Sequence, residues 1–203
     1  MRWRWAYYVE RCEPPFDFKS LVGWYAPRGL MLPNPGTHQI TRLSAEGDQI
    51  VSSEEEIADR LAKSIETPFQ WWLDDGLDVF CDFRFPQADL LCHVYEVGIL
   101  GANQLNWFVQ LITDLVKLNP VRAVGCVIEP LHYGDYSEEE WLAFLLHSAP
   151  LPTLPQLLIV KPNALQVATD DLHRCEADYF DGFARFRYPT YMSYPAIAEK
   201  KDA

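Results

Sequence analysis

The stretch from Ser53 to Glu129 constrains the fold most, because it carries every local signal of a helix-backed β-sheet. A capped helix start is followed by an Asp-Gly hairpin, a third strand, a second helix and a wholly apolar strand. We expect helices over 54–66 and 105–118 and strands over 69–73, 77–85, 91–99 and 121–128. This pattern predicts an α+β fold: a single domain with a mostly antiparallel sheet of at least four strands and helices packed on it.

The first helix has a reciprocal capping signal. Ser53 is placed to accept a hydrogen bond from the Glu56 amide while the Glu56 side chain reaches back. The expected core stripe of this helix is Ile57, Leu61 and Ile65, and Pro68 is expected to end it. Across the whole fold, the residues predicted to be nearly inaccessible to solvent are Leu61, Phe83, Leu111, Leu115, Val124 and Val127.

The length of the chain and the positions of its Pro- and Gly-rich segments favour one domain over residues 1–195, with a frayed tail over 196–203. Residues 3–9 alternate like a half-buried strand, whereas 121–128 is apolar on both faces, as in a central strand covered on both sides. A long irregular segment is expected over 23–48, and 170–181 is compatible with a helix.

Net charge limits the partners. The chain carries a formal charge of −12 and has no dense run of Lys or Arg, so nucleic-acid binding is not expected. An acidic surface suits a basic protein partner that is steered into contact electrostatically.

The five cysteines are widely spaced and odd in number, so we expect reduced thiols and a cytoplasmic location. The amino terminus lacks the apolar core of a signal peptide, and no run approaches the ~20 apolar residues of a membrane-spanning helix. No membrane association is therefore expected.

Catalytic motifs are absent from the sequence, which has no nucleophile elbow, phosphate-binding loop or dinucleotide fingerprint. A hydrolase remains an alternative, because Asp82 falls opposite His93 if Phe85 pairs with Leu90. His132, directly after the central strand, is the other candidate base. No residue set matches a metal template, and we expect neither a metal nor a cofactor.

Charge and aromatic content favour a binding role over an enzymatic one. We expect a cytoplasmic protein-binding module, most concretely a bacterial immunity protein or inhibitor that neutralises a basic toxin enzyme. A scaffold or homo-oligomer subunit is a further alternative. The predicted partner contacts are Asp74, Asp75, Asp78, Asp82, Glu138 and Glu139.

Overall fold

In a computed structural model, the chain forms one sheet of ten strands in which every neighbouring pair is antiparallel. The structure describes residues 4–13, 15–44, 46–74, 76–129, 138–146, 148–167, 172 and 175–188. The strands are β1 (Trp5–Arg11), β2 (Ile40–Leu43), β3 (Gln49–Ser52), β4 (Thr67–Trp72), β5 (Asp78–Gln87), β6 (Leu90–Glu96), β7 (Ala123–Ile128), β8 (Leu157–Val160), β9 (Glu176–Phe180) and β10 (Phe183–Arg187). The helices are α1 (Phe18–Tyr25), α2 (Glu54–Ala62), α3 (Ala102–Leu118) and α4 (Glu138–Leu145).

Across the sheet the strands run in the order β3-β2-β4-β5-β6-β1-β7-β8-β10-β9. The predicted α+β fold with a mostly antiparallel sheet is therefore confirmed, and the apolar strand β7 lies in the interior between β1 and β8, as expected. The proposed tail over 196–203 lies outside the described residues.

The sheet has two apolar faces. The first face is covered by α1, α2 and α3, whose buried side chains join those of the strands in one core cluster. The second face is covered in part by α4, which packs on β1 and β7 and buries Trp141 completely. Strand β1 therefore buries side chains on both faces, where the sequence pattern predicted a half-buried strand.

Helix α2 begins as predicted, since Ser53 Oγ accepts from the Glu56 amide at 3.1 Å. The reciprocal bond is replaced, because the Glu56 carboxylate accepts instead from Ser52 Oγ at 2.9 Å and Arg42 Nε at 2.8 Å. The helix ends at Ala62, before the left-handed residue Ser64 (φ 55°). Ile65 is consequently 40% exposed rather than buried, and the predicted end at Pro68 is wrong because that proline lies within β4.

Five of the six predicted core residues are nearly inaccessible: Leu61, Phe83, Leu111, Leu115 and Val127. Val124 is the exception and is only half-buried. The cause is a bulge in β7: β1 pairs Val9 with Gly125 and Glu10 with Ala123, which leaves Val124 without a partner opposite it.

Two other segments differ from expectation. Helix α1 occupies the start of the region predicted to be irregular, and it begins at Phe18 because Asp17 caps it by accepting from the Ser20 amide at 3.1 Å. The helix proposed over 170–181 is wrong, since Glu176–Phe180 forms edge strand β9, joined to β10 by the turn at Asp181 and Gly182.

All five cysteines are free. Among the described residues there is no helix with the length and apolar character needed to cross a bilayer.

Candidate functional site

His93 was the leading catalytic candidate from sequence, and the structure removes its predicted partner. In the β5–β6 ladder His93 lies opposite Phe83, whereas Asp82 lies opposite Val94. Successive residues of a strand point to opposite faces, so Asp82 and His93 lie on opposite sides of the sheet. The predicted pairing of Phe85 with Leu90 is wrong: Gln87 lies opposite Leu90, and the register shifts by one residue between Gln87 and Arg84.

His93 belongs instead to a buried chain of hydrogen bonds on the first face. Its Nε2 lies 3.1 Å from Glu10 Oε1, and its Nδ1 lies 3.1 Å from the Tyr95 hydroxyl. The Tyr95 hydroxyl lies 2.7 Å from that of Tyr25, and Glu10 Oε2 lies 3.3 Å from Arg122 Nη2. Because a carboxylate only accepts, Nε2 carries the proton and donates to Glu10. It follows that Nδ1 accepts from Tyr95, which in turn accepts from Tyr25.

Burial in the apolar core lowers the pKa of His93, and the bond to Glu10 only partly opposes this shift. The imidazole is therefore neutral at pH 7, which matches the hydrogen-bond directions. His93 is fully buried and both its ring nitrogens are engaged. This arrangement stabilises the core and presents no base to a substrate.

The opposite face of β4, β5 and β6, together with Trp5 of β1, carries a group of acidic and aromatic side chains. Strand alternation brings this group together on one side, because the neighbouring residues of each strand fill the core of the first face. We call it the acidic–aromatic face; its members are Trp5, Gln70, Trp72, Asp78, Phe80, Asp82 and Glu96.

Asp78 is fixed at one end of this face. It pairs across the ladder with Trp72, and its Oδ2 accepts from Gln70 Nε2 at 2.8 Å. Asp78 and Trp72 are half-buried, while Gln70 is only 7% exposed. The buried amide therefore orients a carboxylate that solvent still reaches.

Glu96 lies beside Asp78 on the neighbouring strand. Glu96 pairs with Trp5 of β1 on one side. On the other side, Cys81 of β5 pairs with Tyr95, so Phe80 lies opposite Glu96. The Trp5 and Phe80 rings meet edge to face at 6.5 Å. Partial burial raises the pKa of Glu96, and the negative charge of Asp78 raises it further. Two like charges thus share one aromatic-lined surface.

Asp82 lies deeper in the same face. It is 8% exposed, and its Oδ2 accepts from Arg84 Nε at 2.6 Å. The expectation that the hairpin aspartates are open surface carboxylates does not hold for Asp82, because the β5 alternation turns it into the covered part of the sheet. Within the described residues, three buried polar atoms of this face have no hydrogen-bond partner: Asp82 Oδ1, Gln70 Oε1 and Trp72 Nε1.

A further carboxylate, Glu129, marks the boundary between this face and the part under α4. Its Oε1 accepts from Trp141 Nε1 at 2.7 Å and from the Tyr7 hydroxyl at 3.2 Å. Burial raises the pKa of Glu129, and these two bonds oppose the shift. Glu129 therefore ties α4 to the end of β7.

The remaining predicted contacts are scattered. Asp74 is exposed, but its Oδ1 accepts from the Gly76 amide at 2.9 Å and so shapes the β4–β5 turn. Glu139 is exposed on α4, over the neighbouring part of the same face. Asp75, His132 and the side chain of Glu138 lie outside the described residues.

Sequence reasoning missed Glu96 and Glu129. Each is the only carboxylate at the end of a mostly apolar strand: Glu96 ends β6 after Tyr95, and Glu129 directly follows Ile128 of β7. That isolated charge was the available signal, because a carboxylate in a buried strand needs a partner or a function. Among the described residues, no group of three or more His, Cys, Asp or Glu side chains is arranged to hold a metal ion.

Comparison with known proteins gives no relative: no protein family, no curated protein and no solved structure matches this chain.

Proposed function

We propose that this protein is a cytoplasmic protein-binding module whose acidic–aromatic face docks on a basic protein. The most concrete form is an immunity protein or inhibitor that neutralises a basic toxin enzyme, such as a nuclease, by covering its cationic surface. Nuclease domains are basic because they bind phosphates, and an acidic inhibitor gains association rate and specificity from that charge.

The pair formed by Asp78 and Glu96 is the single observation that carries this proposal. Asp78 raises the pKa of Glu96, so the two carboxylates repel one another in the free protein. Within the part of the chain that the structure describes, neither has an ion pair with Lys or Arg. A cation from a partner would relieve this repulsion, so the surface favours a cationic ligand.

The aromatic side chains support the same proposal. Trp5, Trp72 and Phe80 are half-buried around the two carboxylates. Aromatic faces attract Lys and Arg, and Trp is enriched among the residues that dominate binding energy at interfaces. A net charge of −12 adds long-range steering of a basic partner, and the five free cysteines suit a reducing compartment.

The test uses basic proteins encoded beside this gene, because an inhibitor is normally encoded with its target. The wild-type chain is expected to bind one of them and to suppress its activity. The double variant Asp78→Asn/Glu96→Gln is expected to associate at least tenfold more slowly at low salt, with a smaller difference at high salt.

The matched control is Glu46→Gln/Asp48→Asn, which removes the same charge from two exposed residues between β2 and β3. If this control slows association as much as the face variant, net charge rather than the face governs binding. A partner that binds both variants as fast as the wild type contradicts the proposal.

A homo-oligomeric scaffold is the second candidate, favoured by the two edge strands of the sheet. Val51 on β3 is 64% exposed and Tyr179 on β9 is 70% exposed, beside backbone that no strand of the described chain pairs with. Light scattering after size-exclusion chromatography tests it: a monomer at ~100 μM opposes edge-to-edge assembly.

A further inference from the structure

We propose that the acidic–aromatic face recognises one arginine side chain of its partner, with the guanidinium bridging Asp78 and Glu96 against the rings of Trp5, Trp72 and Phe80. This inference rests on the proposed function and adds the chemical identity of the contact. It concerns arginine as distinct from lysine or from general positive charge.

The spacing of the two carboxylates is the first argument. Glu96 lies opposite Phe80, and Asp78 lies two residues further along β5 on the same face. Such diagonal neighbours in an antiparallel pair have Cβ atoms about 7 Å apart. A guanidinium has donors on opposite edges, so it bonds two carboxylates at that separation. An ammonium is a point charge and reaches both only if they close in.

The buried floor of the face is the second argument, and it is independent of the half-buried acids Asp78 and Glu96. Gln70 Oε1 and Asp82 Oδ1 are buried acceptors that receive no donor from the described residues, and their side chains are 7% and 8% exposed. Gln70 is aimed into the site, since its Nε2 donates to Asp78 at 2.8 Å. Unpaired acceptor oxygens in a low-dielectric surrounding add to the negative potential that a cation beside Asp78 experiences.

The rings supply the third argument. Half-buried Trp5, Trp72 and Phe80 flank the carboxylates, and a guanidinium stacks on aromatic faces more readily than an ammonium because it is planar and weakly hydrated. The chain already uses this geometry elsewhere, where Arg28 lies over the Trp24 ring at 4.2 Å.

Among the described residues, Arg84 is a cationic side chain on this face of β5, and its Nε donates to Asp82 Oδ2 at 2.6 Å. Asp78 and Glu96 form no ion pair with a Lys or Arg of the described residues. Arg84 occupies the neighbouring part of β5 and so limits how far a cationic ligand extends along this strand. The geometry therefore favours a single anchoring residue over a run of basic residues.

The experiment compares three blocked pentapeptides, Gly-Gly-X-Gly-Gly with X as arginine, lysine or citrulline, titrated into the full chain. Binding is read from the indole N–H resonances of Trp5 and Trp72, assigned by substitution with Phe. We expect the arginine peptide to shift both resonances saturably, with a Kd at least tenfold below that of the lysine peptide. Citrulline has the same shape without the charge and is expected not to bind.

The same titration is repeated on Asp78→Asn/Glu96→Gln and on the control Glu46→Gln/Asp48→Asn. The face variant is expected to raise the Kd for the arginine peptide at least tenfold, and the control to change it less than twofold. The comparison of peptides on the wild-type chain stands even if a variant does not fold.

Equal affinity for the arginine and lysine peptides, or shifts that persist in the face variant, overturns this inference. The proposed function is tested separately with a basic protein that requires Asp78 and Glu96 for binding. If this protein binds the chain equally well after its interface arginines are changed to lysine, the result supports the docking face and rejects arginine recognition. Failure of both peptides and basic proteins to bind the face rejects both.

Discussion

Glu10 Oε1 lies 3.1 Å from His93 Nε2 in the interior of the sheet, on strands that are neighbours in the order β6-β1. Both side chains are at most 5% exposed, and the other Glu10 oxygen faces Arg122. The charge of Glu10 is thus balanced by Arg122 at the rim, while the neutral imidazole of His93 donates a hydrogen bond to it inside the core. The stability of such a buried network depends on each donor and acceptor in this chain of hydrogen bonds having a partner.

The first prediction concerns pH. Burial lowers the pKa of His93 below its usual 6.5, so between the folded and unfolded values the unfolded chain binds more protons. The contribution of His93 to stability is complete above the unfolded pKa and is lost as pH falls through the folded value. We expect the free energy of unfolding to drop below pH ~6.5. In His93→Gln, which keeps a donor and an acceptor, this part of the drop should disappear in urea titrations.

The second prediction orders two substitutions in the same chain. Tyr25→Phe removes only the terminal donor, because Tyr95 still donates to His93; we expect a loss of about 1 kcal/mol. Tyr95→Phe leaves His93 Nδ1 without a donor and the Tyr25 hydroxyl without an acceptor, so its cost should be about 2–4 kcal/mol. Chemical denaturation measures both, and a larger loss for Tyr25→Phe contradicts the assigned hydrogen-bond directions.

The sequence predicted those parts of the fold that local pattern determines. Helix α3, the hairpin of β4 and β5 and the interior position of β7 follow from periodicity and turn chemistry. The opposite orientation of the adjacent Trp71 and Trp72 follows from strand alternation, with Trp71 fully buried. These features require no knowledge of distant contacts.

The candidate site was less predictable because it depends on register. The ladder pairs Asp82 with Val94 rather than with His93, and this one-residue difference from the expected register places Asp82 and His93 on opposite faces of the sheet. The pairing of Glu10 with His93 joins residues 83 positions apart, and Glu96 meets Asp78 only across the β5–β6 ladder. A local sequence pattern cannot predict which residues so far apart in sequence become neighbours in the fold.

The third prediction concerns close packing at Gly125. A Cβ built there would lie 2.8 Å from the Ile159 carbonyl oxygen and 2.8 Å from Leu145 Cδ2, so the β8 backbone would have to move and the Leu145 side chain would have to rotate. We expect Gly125→Ala to cost about 1–3 kcal/mol. The control is Gly23→Ala in α1, where nothing lies within 4 Å; it should stabilise by about 0.5–1 kcal/mol. Thermal melts of the two variants should therefore shift in opposite directions.

The fourth prediction returns to Glu96. Partial burial, and to a smaller extent the charge of Asp78, raises the pKa of Glu96 above the usual 4.5. The contribution of Glu96 to stability is therefore complete below pH ~4.5 and is lost as pH rises through the pKa of the folded state. At pH 7 the wild-type chain therefore bears the full cost of the ionised carboxylate. Glu96→Gln keeps the shape without the charge and should raise the melting temperature at pH 7, with the gain shrinking toward pH 4.

Glu46→Gln serves as the control for this change, since Glu46 is exposed in the connection between β2 and β3. The melting temperature of this control should stay within about 1 °C of wild type. The same Glu96→Gln chain should lose affinity for a basic partner while gaining stability. That opposite movement separates a carboxylate kept for binding from one kept for folding. A variant that loses stability and binding together at pH 7 contradicts the assignment of Glu96 to the docking surface.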